Sequence, residues 1–126
     1  MGNVAMIAVC GGLGCLSRYF ISGWVYGWLG KSFPYGTLAV NILGAFIIGF
    51  LMEFGLHSSL IPAGLRIGLT VGFMGGLTTF STFSYETLRL LQDGEILFAG
   101  LNAAGSVVSC VLFAWVGIVL ARTILM

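Results

Sequence analysis

The sequence predicts an all-α membrane protein with four transmembrane helices, the third of them broken in mid-membrane. Hydrophobic residues make up 59% of the 126-residue chain and charged residues 7%, whereas soluble domains carry about 25% charged residues. Four apolar stretches are each long enough to cross about 30 Å of hydrocarbon at about 1.5 Å per residue. The third stretch holds two adjacent glycines and several hydroxyl side chains. Composition and span length therefore indicate a bilayer environment.

Short connections separate the predicted spans, which run approximately over residues 4–29, 35–56, 67–91 and 96–121. Pro34 and Pro62 stand near the start of a span, where the missing N–H of proline costs nothing. No connection is long enough for a second domain, so residues 1–126 are predicted to form one domain. A transmembrane β-barrel would alternate apolar and polar residues along each strand, a pattern that these uniformly apolar spans lack.

The cations are balanced between the two ends of the predicted bundle. If both termini lie on one side, Arg66 and Arg122 lie there, Lys31 and Arg89 lie opposite, and Arg18 falls inside or near the first span. The positive-inside rule compares the number of Lys and Arg residues near the span ends on the two sides. With two on each side, it predicts no preferred orientation. Two interpretations stay open: an orientation that depends on a single residue, or insertion in both orientations with antiparallel pairing of subunits.

The isolated reactive side chains do not predict an enzyme. Cys10, Cys15 and Cys110 match no zinc or haem spacing, and their odd number argues against a disulfide framework, so they are predicted to be packing residues. His57 stands beside two serines at a span end and is predicted to be solvated there. The sequence holds no Ser/His/Asp set, paired carboxylate or phosphate-binding glycine loop.

Glycines recur every four residues on two of the spans. Gly68, Gly72 and Gly76 share one face of the third span, and Gly23 and Gly27 share one face of the first. Small residues at this spacing let helix backbones approach closely in lipid. Close helix packing is therefore the predicted role of both sets.

The third span is predicted to break near Gly75 and Gly76. The segment of residues 62–93 would extend roughly 46 Å if wholly helical, which exceeds a bilayer core. Non-helical backbone at that depth survives only where it lines a cavity or is buried in protein. Its freed carbonyls suit a cation, and the N–H end of the next half-helix favours an anion.

Aromatic and hydroxyl side chains follow the predicted break. Phe80 and Phe83 are three residues apart and share a helix face, and the positive edge of a Phe ring accepts a small anion. The hydroxyl groups that follow add hydrogen-bond donors; they belong to Ser81, Thr82, Ser84 and Thr87. The other interpretation is lipid-facing phenylalanines with hydroxyls bonded back to their own helix. The density of hydroxyls beside a break favours the anion site.

Two other spans carry polar groups in apolar surroundings. Asn41 lies in the middle of the second span, and Asn102 and Ser106 lie four residues apart on the fourth. Hydrogen bonding between helices would explain such residues individually. Together with a broken third span they favour a shared polar path.

At these residues the chain resembles a known family. The run Gly-Gly-Leu-Thr-Thr-Phe-Ser-Thr-Phe-Ser-Tyr-Glu-Thr at residues 75–87 closely resembles the third span of the Fluc (CrcB) fluoride channels. Gly36-Thr37-Leu38 with Asn41 and Gly44, and the early Gly-Gly-Leu-Gly followed by Arg18-Tyr19, are similar as well. The resemblance extends over essentially the whole chain and implies a passive fluoride-selective channel that exports fluoride from the cytoplasm across the inner membrane.

The resemblance also implies an assembly. Family members are antiparallel, dual-topology homodimers with two fluoride pores and a structural Na⁺ at the centre of the dimer. On this chain the Na⁺ would be held by the backbone carbonyls of Gly75 and Thr78. The implied partners are fluoride, a second copy of the chain and the lipid bilayer, with no nucleic acid.

The fluoride pore implied by the resemblance uses residues from all four spans. Phe80 and Phe83 would be contributed to each pore by opposite subunits, with Asn41 at the pore mouth and Arg18 near the vestibule. The remaining implied pore residues are Ser81, Thr82, Asn102 and Ser106. The family's fourth-span track of Tyr, Ser and Ser falls on Asn102, Ser106 and Cys110, so this sequence departs from the pattern at two positions.

Two alternative functions belong to other classes. A small multidrug-resistance-type exporter also has four spans and dual topology, but it couples transport to a carboxylate in the first span. The only charge of this first span is Arg18, which argues against proton-coupled export. An accessory subunit that packs against larger partners would need no line of intramembrane hydroxyls.

Overall fold

A computed structural model describes residues 2–126, which are helical apart from short connections. Six α-helices and one π-helical turn follow one another: α1 (Gly2–Leu29), α2 (Tyr35–His57), α3 (Ala63–Ile67), the π-turn (Gly68–Phe73), α4 (Met74–Leu77), α5 (Ser81–Gln92) and α6 (Ile96–Leu125). Helices α1, α2 and α6 are long and apolar enough to cross a membrane, as predicted for the first, second and fourth spans. Helix α6 extends four residues beyond the predicted end at residue 121.

Two glycines terminate helices in conformations that other residues rarely adopt. Gly30 follows α1 with φ 86°, and Gly94 follows α5 with φ 81°. After α5 the amide of Glu95 donates back to the carbonyl of Leu90 at 2.8 Å. This is the Schellman pattern, in which a glycine at positive φ lets the chain turn and satisfy the last carbonyls of a helix.

Glycines bring α1 into backbone contact with the third segment. A Cβ atom added at Gly76 would overlap the carbonyl oxygen of Gly11, and one added at Gly72 would lie 2.8 Å from the carbonyl oxygen of Ile7. The predicted packing role of the third-segment glycines is therefore confirmed. Gly23 and Gly27 have nothing within 4 Å of such an atom in this chain, so the same prediction is not confirmed for the first span.

Helix α2 packs along α6, and each of the two helices has a glycine where the backbone of the other helix comes close. A Cβ at Gly49 would overlap the carbonyl of Ala114, and one at Gly117 would overlap the carbonyl of Phe46. At one end of this pair, Arg122 Nε lies 2.6 Å from Oε2 of the buried Glu53. This ion pair neutralises a carboxylate that lipid alone would not tolerate inside a span.

The charged ends of the bundle agree with the sequence-based arrangement. Arg66 donates from Nη1 to the carbonyl of Gly55 at 3.1 Å, so it lies at the same end of α2 as the Arg122 pair. Lys31 and Arg89 border one cavity together. His57 is 60% exposed at its side chain and lies 3.4 Å from Glu53 Oε2, which agrees with a solvated position at a span end.

The three cysteines are free thiols. Cys10 is buried, with its sulfur 3.1 Å from where a Gly68 Cβ would lie. Cys15 is exposed and Cys110 is half-buried in the single chain. The predicted packing role is thus confirmed for Cys10. Cys15, although exposed as a residue, has its sulfur 3.2 Å from where a Gly76 Cβ would lie, so it also packs against the third segment.

The third segment is broken, as predicted, but the break lies after the glycine pair. Gly75 and Gly76 are helical within α4, and the non-helical residues are 78–80. Thr78 has the extended dihedral angles φ −94° and ψ 156°. The buried residues Val40, Met74 and Leu77 form the core directly beside it. The glycine pair is helical because Gly76 packs on α1, and the chain departs from the helix only beyond that contact.

Candidate ion pathway

Asn41 on α2 holds the broken segment by its backbone. Its Nδ2 donates to the carbonyl of Thr79 at 3.0 Å, and the amide of Thr79 donates to Asn41 Oδ1 at 2.9 Å. The side-chain amide thus replaces both backbone partners that Thr79 would have in a continuous helix. The second N–H of Nδ2 remains able to donate to a ligand.

Arg18 on α1 lies at the end of α4. Its Nε donates to the carbonyl of Gly76 at 3.0 Å. A cation at the carboxyl end of a helix is favourable because the last carbonyls carry partial negative charge. The structure therefore places Arg18 against the break, on the side of the bundle formed by α1.

Three carbonyls at the break receive no donor from residues 2–126. In a continuous helix the amide of Thr79 would bind the carbonyl of Gly75, and the amide of Thr82 would bind that of Thr78. Instead, the first amide donates to Asn41 and the second to Thr79 Oγ1, at 3.2 Å. Leu77, whose carbonyl is also without a donor, is buried in the core.

The free oxygens fit a hard cation. Gly75 is exposed on the outside of the chain, and a Cβ atom added there would have nothing within 4 Å. Na⁺ and similar cations take neutral and anionic oxygen ligands. Among residues 2–126 no group of three or more His, Cys, Asp or Glu side chains lies together, so backbone carbonyls are the candidate ligands in this part of the protein.

Phe80 and Phe83 lie next to each other immediately beyond the break. Their ring centroids are 5.5 Å apart with a 43° angle between the ring planes. Phe80 is 77% exposed in the single chain. In a membrane protein such a side chain faces either lipid or a second subunit.

One cavity of about 460 Å³ joins most of the predicted site residues. It opens to the outside of the chain. Its lining includes Asn41, Gly75, Thr78, Phe80, Phe83, Ser106 and Cys110. Residues that carry free backbone carbonyls, aromatic rings, a side-chain amide and a hydroxyl therefore line a single space.

The hydroxyls beyond the break divide into two kinds. Ser84 and Thr87 donate to the carbonyls of Phe80 and Phe83 at 2.8 Å, which is the back-bonding expected of hydroxyls in membrane helices. Ser81 is exposed with its Oγ 3.4 Å from Thr79 Oγ1. Ser81 and Thr82 are not part of the cavity lining in the single chain.

The polar residues of α6 face α5. Asn102 and Ser106 are 2% and 6% exposed. Asn102 Nδ2 donates to Thr87 Oγ1 at 2.8 Å, and Ser106 Oγ donates to Asn102 Oδ1 at 3.4 Å. A connected line of polar groups thus runs from the cavity along the interface of the two helices.

A second polar cluster includes a residue that sequence reasoning missed. The Tyr26 hydroxyl donates to Glu86 Oε2 at 2.9 Å and lies 3.5 Å from Thr37 Oγ1. Glu86 Oε1 is enclosed and has no hydrogen-bond partner among residues 2–126. Both residues border a cavity of about 690 Å³ that also holds Lys31 and Arg89. No spacing in the sequence connects Tyr26 to Glu86, because the two lie on different spans.

Comparison with known proteins gives one consistent result. The family model described as CrcB-like protein, Camphor Resistance (CrcB), matches residues 5–118. A protein of Geotalea uraniireducens (strain Rf4) named fluoride-specific ion channel FluC is 62% identical over 124 residues, which cover 98% of this chain and 100% of that protein. Proteins with the same name from Pelobacter propionicus and Geobacter metallireducens are 63% and 59% identical, covering 98% and 97% of this chain and 93% and 98% of those proteins.

Proposed function

This chain belongs to the CrcB family, and from that premise we propose that it is a passive fluoride-selective ion channel. Its relatives are named fluoride-specific ion channels. The protein is accordingly a multi-pass membrane protein and not an enzyme. The observation that carries the proposal is the single cavity in which Asn41, Phe80, Phe83 and Ser106 meet.

The groups around this cavity suit a small anion. Fluoride is strongly hydrated and accepts strong hydrogen bonds, so a channel has to replace its water without retaining the ion. Amide and hydroxyl donors and the positive edges of Phe80 and Phe83 supply that replacement without a formal positive charge. The amides of Phe80 and Ser81 have no acceptor among residues 2–126, and they add the positive end of the α5 dipole.

The working unit is a homodimer of four-span chains inserted in opposite orientations. The third segment, residues 63–92, supplies the fourth crossing in addition to α1, α2 and α6. Two observations support the pairing: the cavity is open on the face that carries Phe80 and Gly75, and the cations are balanced between the two ends of the bundle. A two-fold axis would place the same face of the partner over the open cavity of each chain.

A structural Na⁺ sits at the centre of this dimer. Gly75 and Thr78 would hold it through their free carbonyls, and the second copy would supply the same two oxygens. When bound, the ion supplies positive charge between two pores that have few charges of their own. It is a structural ion and not a transported partner.

The channel acts in the inner membrane and lets fluoride leave the cytoplasm. Fluoride that enters a cell as HF dissociates in a near-neutral cytoplasm, and the anion then leaves down its gradient through a passive pore. No intramembrane carboxylate is present on α1 to couple the movement to protons, as a small multidrug-resistance-type exporter would need.

Efflux from liposomes tests the proposal. Purified protein is reconstituted, the vesicles are loaded with fluoride or chloride, and release is followed with an ion-selective electrode. The expected result is rapid fluoride efflux with chloride release at the rate of protein-free vesicles. Equal rates for the two anions would contradict the proposed selectivity.

A further inference from the structure

We propose that Thr79 and Asn41 are positioning residues that keep the carbonyls of Gly75 and Thr78 open to a cation, so that the cation site is arranged within one chain before two chains meet. The inference rests on the Na⁺ site of the proposed function. It adds to that function a reason why these two carbonyls, and not their neighbours, are available.

The argument starts from the amides that would otherwise cover the two oxygens. In a helix each carbonyl accepts from the amide four residues later. The covering amides are therefore those of Thr79 for Gly75 and of Thr82 for Thr78. In a continuous helix, both amides would donate to these two carbonyls.

Side chains intercept both amides. Asn41 Oδ1 takes the amide of Thr79 at 2.9 Å, and Thr79 Oγ1 takes the amide of Thr82 at 3.2 Å. Asn41 also donates to the carbonyl of Thr79 at 3.0 Å, so that this oxygen is not available as a ligand of the cation. Each of the two bonds to an amide leaves one carbonyl without a donor, and the two carbonyls belong to Gly75 and Thr78, which line the cavity.

Arg18 on α1 binds the carbonyl that lies between these two positions. Its Nε donates to the carbonyl of Gly76 at 3.0 Å, so that this oxygen is not free for a cation. Leu77 is 1% exposed in the core and is not one of the residues that line the cavity. Within the described chain, Gly75 and Thr78 are the two residues of 75–79 that both line the cavity and have a carbonyl without a donor.

The side chains that bind these amides and carbonyls all belong to one chain. Their hydrogen bonds are made between α1, α2 and the third segment of the same chain. Groups that orient the ligands of a metal typically change its affinity by roughly 10–100-fold when they are removed. Thr79 and Asn41 are expected to act on the cation with effects of that size.

A Na⁺ titration of purified protein tests this role without measuring transport. Thermal unfolding in detergent is recorded at increasing Na⁺ at constant ionic strength, with N-methylglucamine as the replacing cation. Thr79→Val keeps the side-chain shape and releases the amide of Thr82; Asn41→Leu keeps the branching at Cγ and releases the amide of Thr79. Neither variant changes a formal charge, so a shift in Na⁺ affinity is not a direct charge effect.

The chain offers a matched control in Thr123. Its hydroxyl donates to the carbonyl of Val119 at 2.9 Å on the exposed side of α6, far along the chain from the break. The half-maximal Na⁺ concentration is expected to rise roughly 10–100-fold in Thr79→Val and Asn41→Leu and to stay at the wild-type value in Thr123→Val. Wild-type values in both test variants would overturn the inference.

Amide exchange in the wild-type protein gives an answer even if a variant does not fold. In Na⁺-free buffer the amide of Thr79 is expected to exchange slowly, because Asn41 holds it, while the amide of Phe80, which has no acceptor among residues 2–126, exchanges faster. Equal exchange at both positions would overturn the inference. If the unfolding temperature of the wild-type protein does not change with Na⁺, the inference fails, and so does the Na⁺ part of the proposed function. Fluoride conduction is tested separately by the efflux assay.

Discussion

Asn102 on α6 donates from Nδ2 to the hydroxyl of Thr87 on α5 at 2.8 Å. The same hydroxyl donates to the carbonyl of Phe83 at 2.8 Å. Asn102 is 2% exposed, so no solvent replaces this bond if it is lost. The pair therefore ties α5, which begins directly after Phe80 and carries Phe83, to α6.

Thr87→Val should destabilise the protein. The substitution keeps the shape of the side chain but leaves a buried amide donor without an acceptor, which costs about 1–3 kcal/mol. Denaturant unfolding in detergent measures the change. Thr123→Val, which removes an exposed hydroxyl bonded back to its own helix, should cost much less, and equal losses in the two variants would show that the Asn102 contact contributes nothing.

Phe80→Ile and Phe83→Ile should each lower fluoride flux by at least about tenfold, equivalent to about 1.4 kcal/mol in the barrier. Isoleucine keeps much of the hydrophobic volume but has no ring edge to face the anion. Efflux from liposomes gives the flux, and size-exclusion chromatography verifies that the variants assemble. Phe113→Ile on the exposed side of α6 is the control, and unchanged flux in the two test variants would return both rings to a packing role.

Fluoride efflux should not respond to a Na⁺ gradient. A structural ion held by backbone carbonyls is part of the assembly and does not move with the anion, so equal Na⁺ on both sides supports the same flux as any gradient. The measurement compares initial efflux rates at inward, outward and zero Na⁺ gradients, with Na⁺ present on both sides of the membrane in every case. Efflux that stops whenever the gradient is collapsed would instead indicate coupled transport.

The chain should insert in both orientations, and small charge changes should separate the two. Ser59→Lys with Leu60→Lys adds cations at one end of the bundle, and Gln92→Lys with Asp93→Lys adds them at the other. All four positions are exposed. Each pair should bias the chain to one orientation through the positive-inside rule, which C-terminal reporter fusions detect.

Dimer function should follow these orientations. Either double variant expressed alone should give little fluoride efflux, because antiparallel partners are scarce, and co-expression of the two should restore it. Full activity of each variant alone, despite a single measured orientation, would contradict the antiparallel arrangement.

Gly76→Ala should be strongly destabilising, whereas Gly23→Ala should be tolerated. A Cβ at Gly76 would overlap the backbone of Gly11 and lie 2.8 Å from the amide nitrogen of Cys15, while one at Gly23 has nothing within 4 Å. Overpacking of this kind costs about 1–3 kcal/mol. Unfolding midpoints in detergent compare the two, and a loss at Gly23 as large as at Gly76 would point to a contact made only in the dimer.

Hydropathy was sufficient to locate the long helices. The bilayer sets a minimum apolar length, so α1, α2 and α6 could be read from runs of apolar residues, with errors of a few residues at their ends. The residues of the candidate pathway were also recognisable, because polar groups inside a span need a partner or a function. Asn41 and Ser106 were singled out in this way, and Phe80 and Phe83 because aromatic edges follow the predicted break; the structure brings all four to one cavity.

The position of the break was not readable from local sequence. Two adjacent glycines favour an interruption, yet Gly75 and Gly76 remain helical, since Gly76 lies against α1. The interruption occurs three residues after Gly75, where Asn41 from another helix takes the backbone of Thr79. A contact between residues 38 positions apart leaves no mark in the local pattern.

Composition and periodicity thus specified the membrane environment, the long spans and the kinds of side chain at the pathway, because each of these depends on residues close together in the chain. Which carbonyls are free, which hydroxyls bond back to their own helix, and how Tyr26 meets Glu86 depend on how the helices pack against one another. Hydrogen-bond partners in a helical bundle are chosen across helices, and only the packed structure brings those partners together.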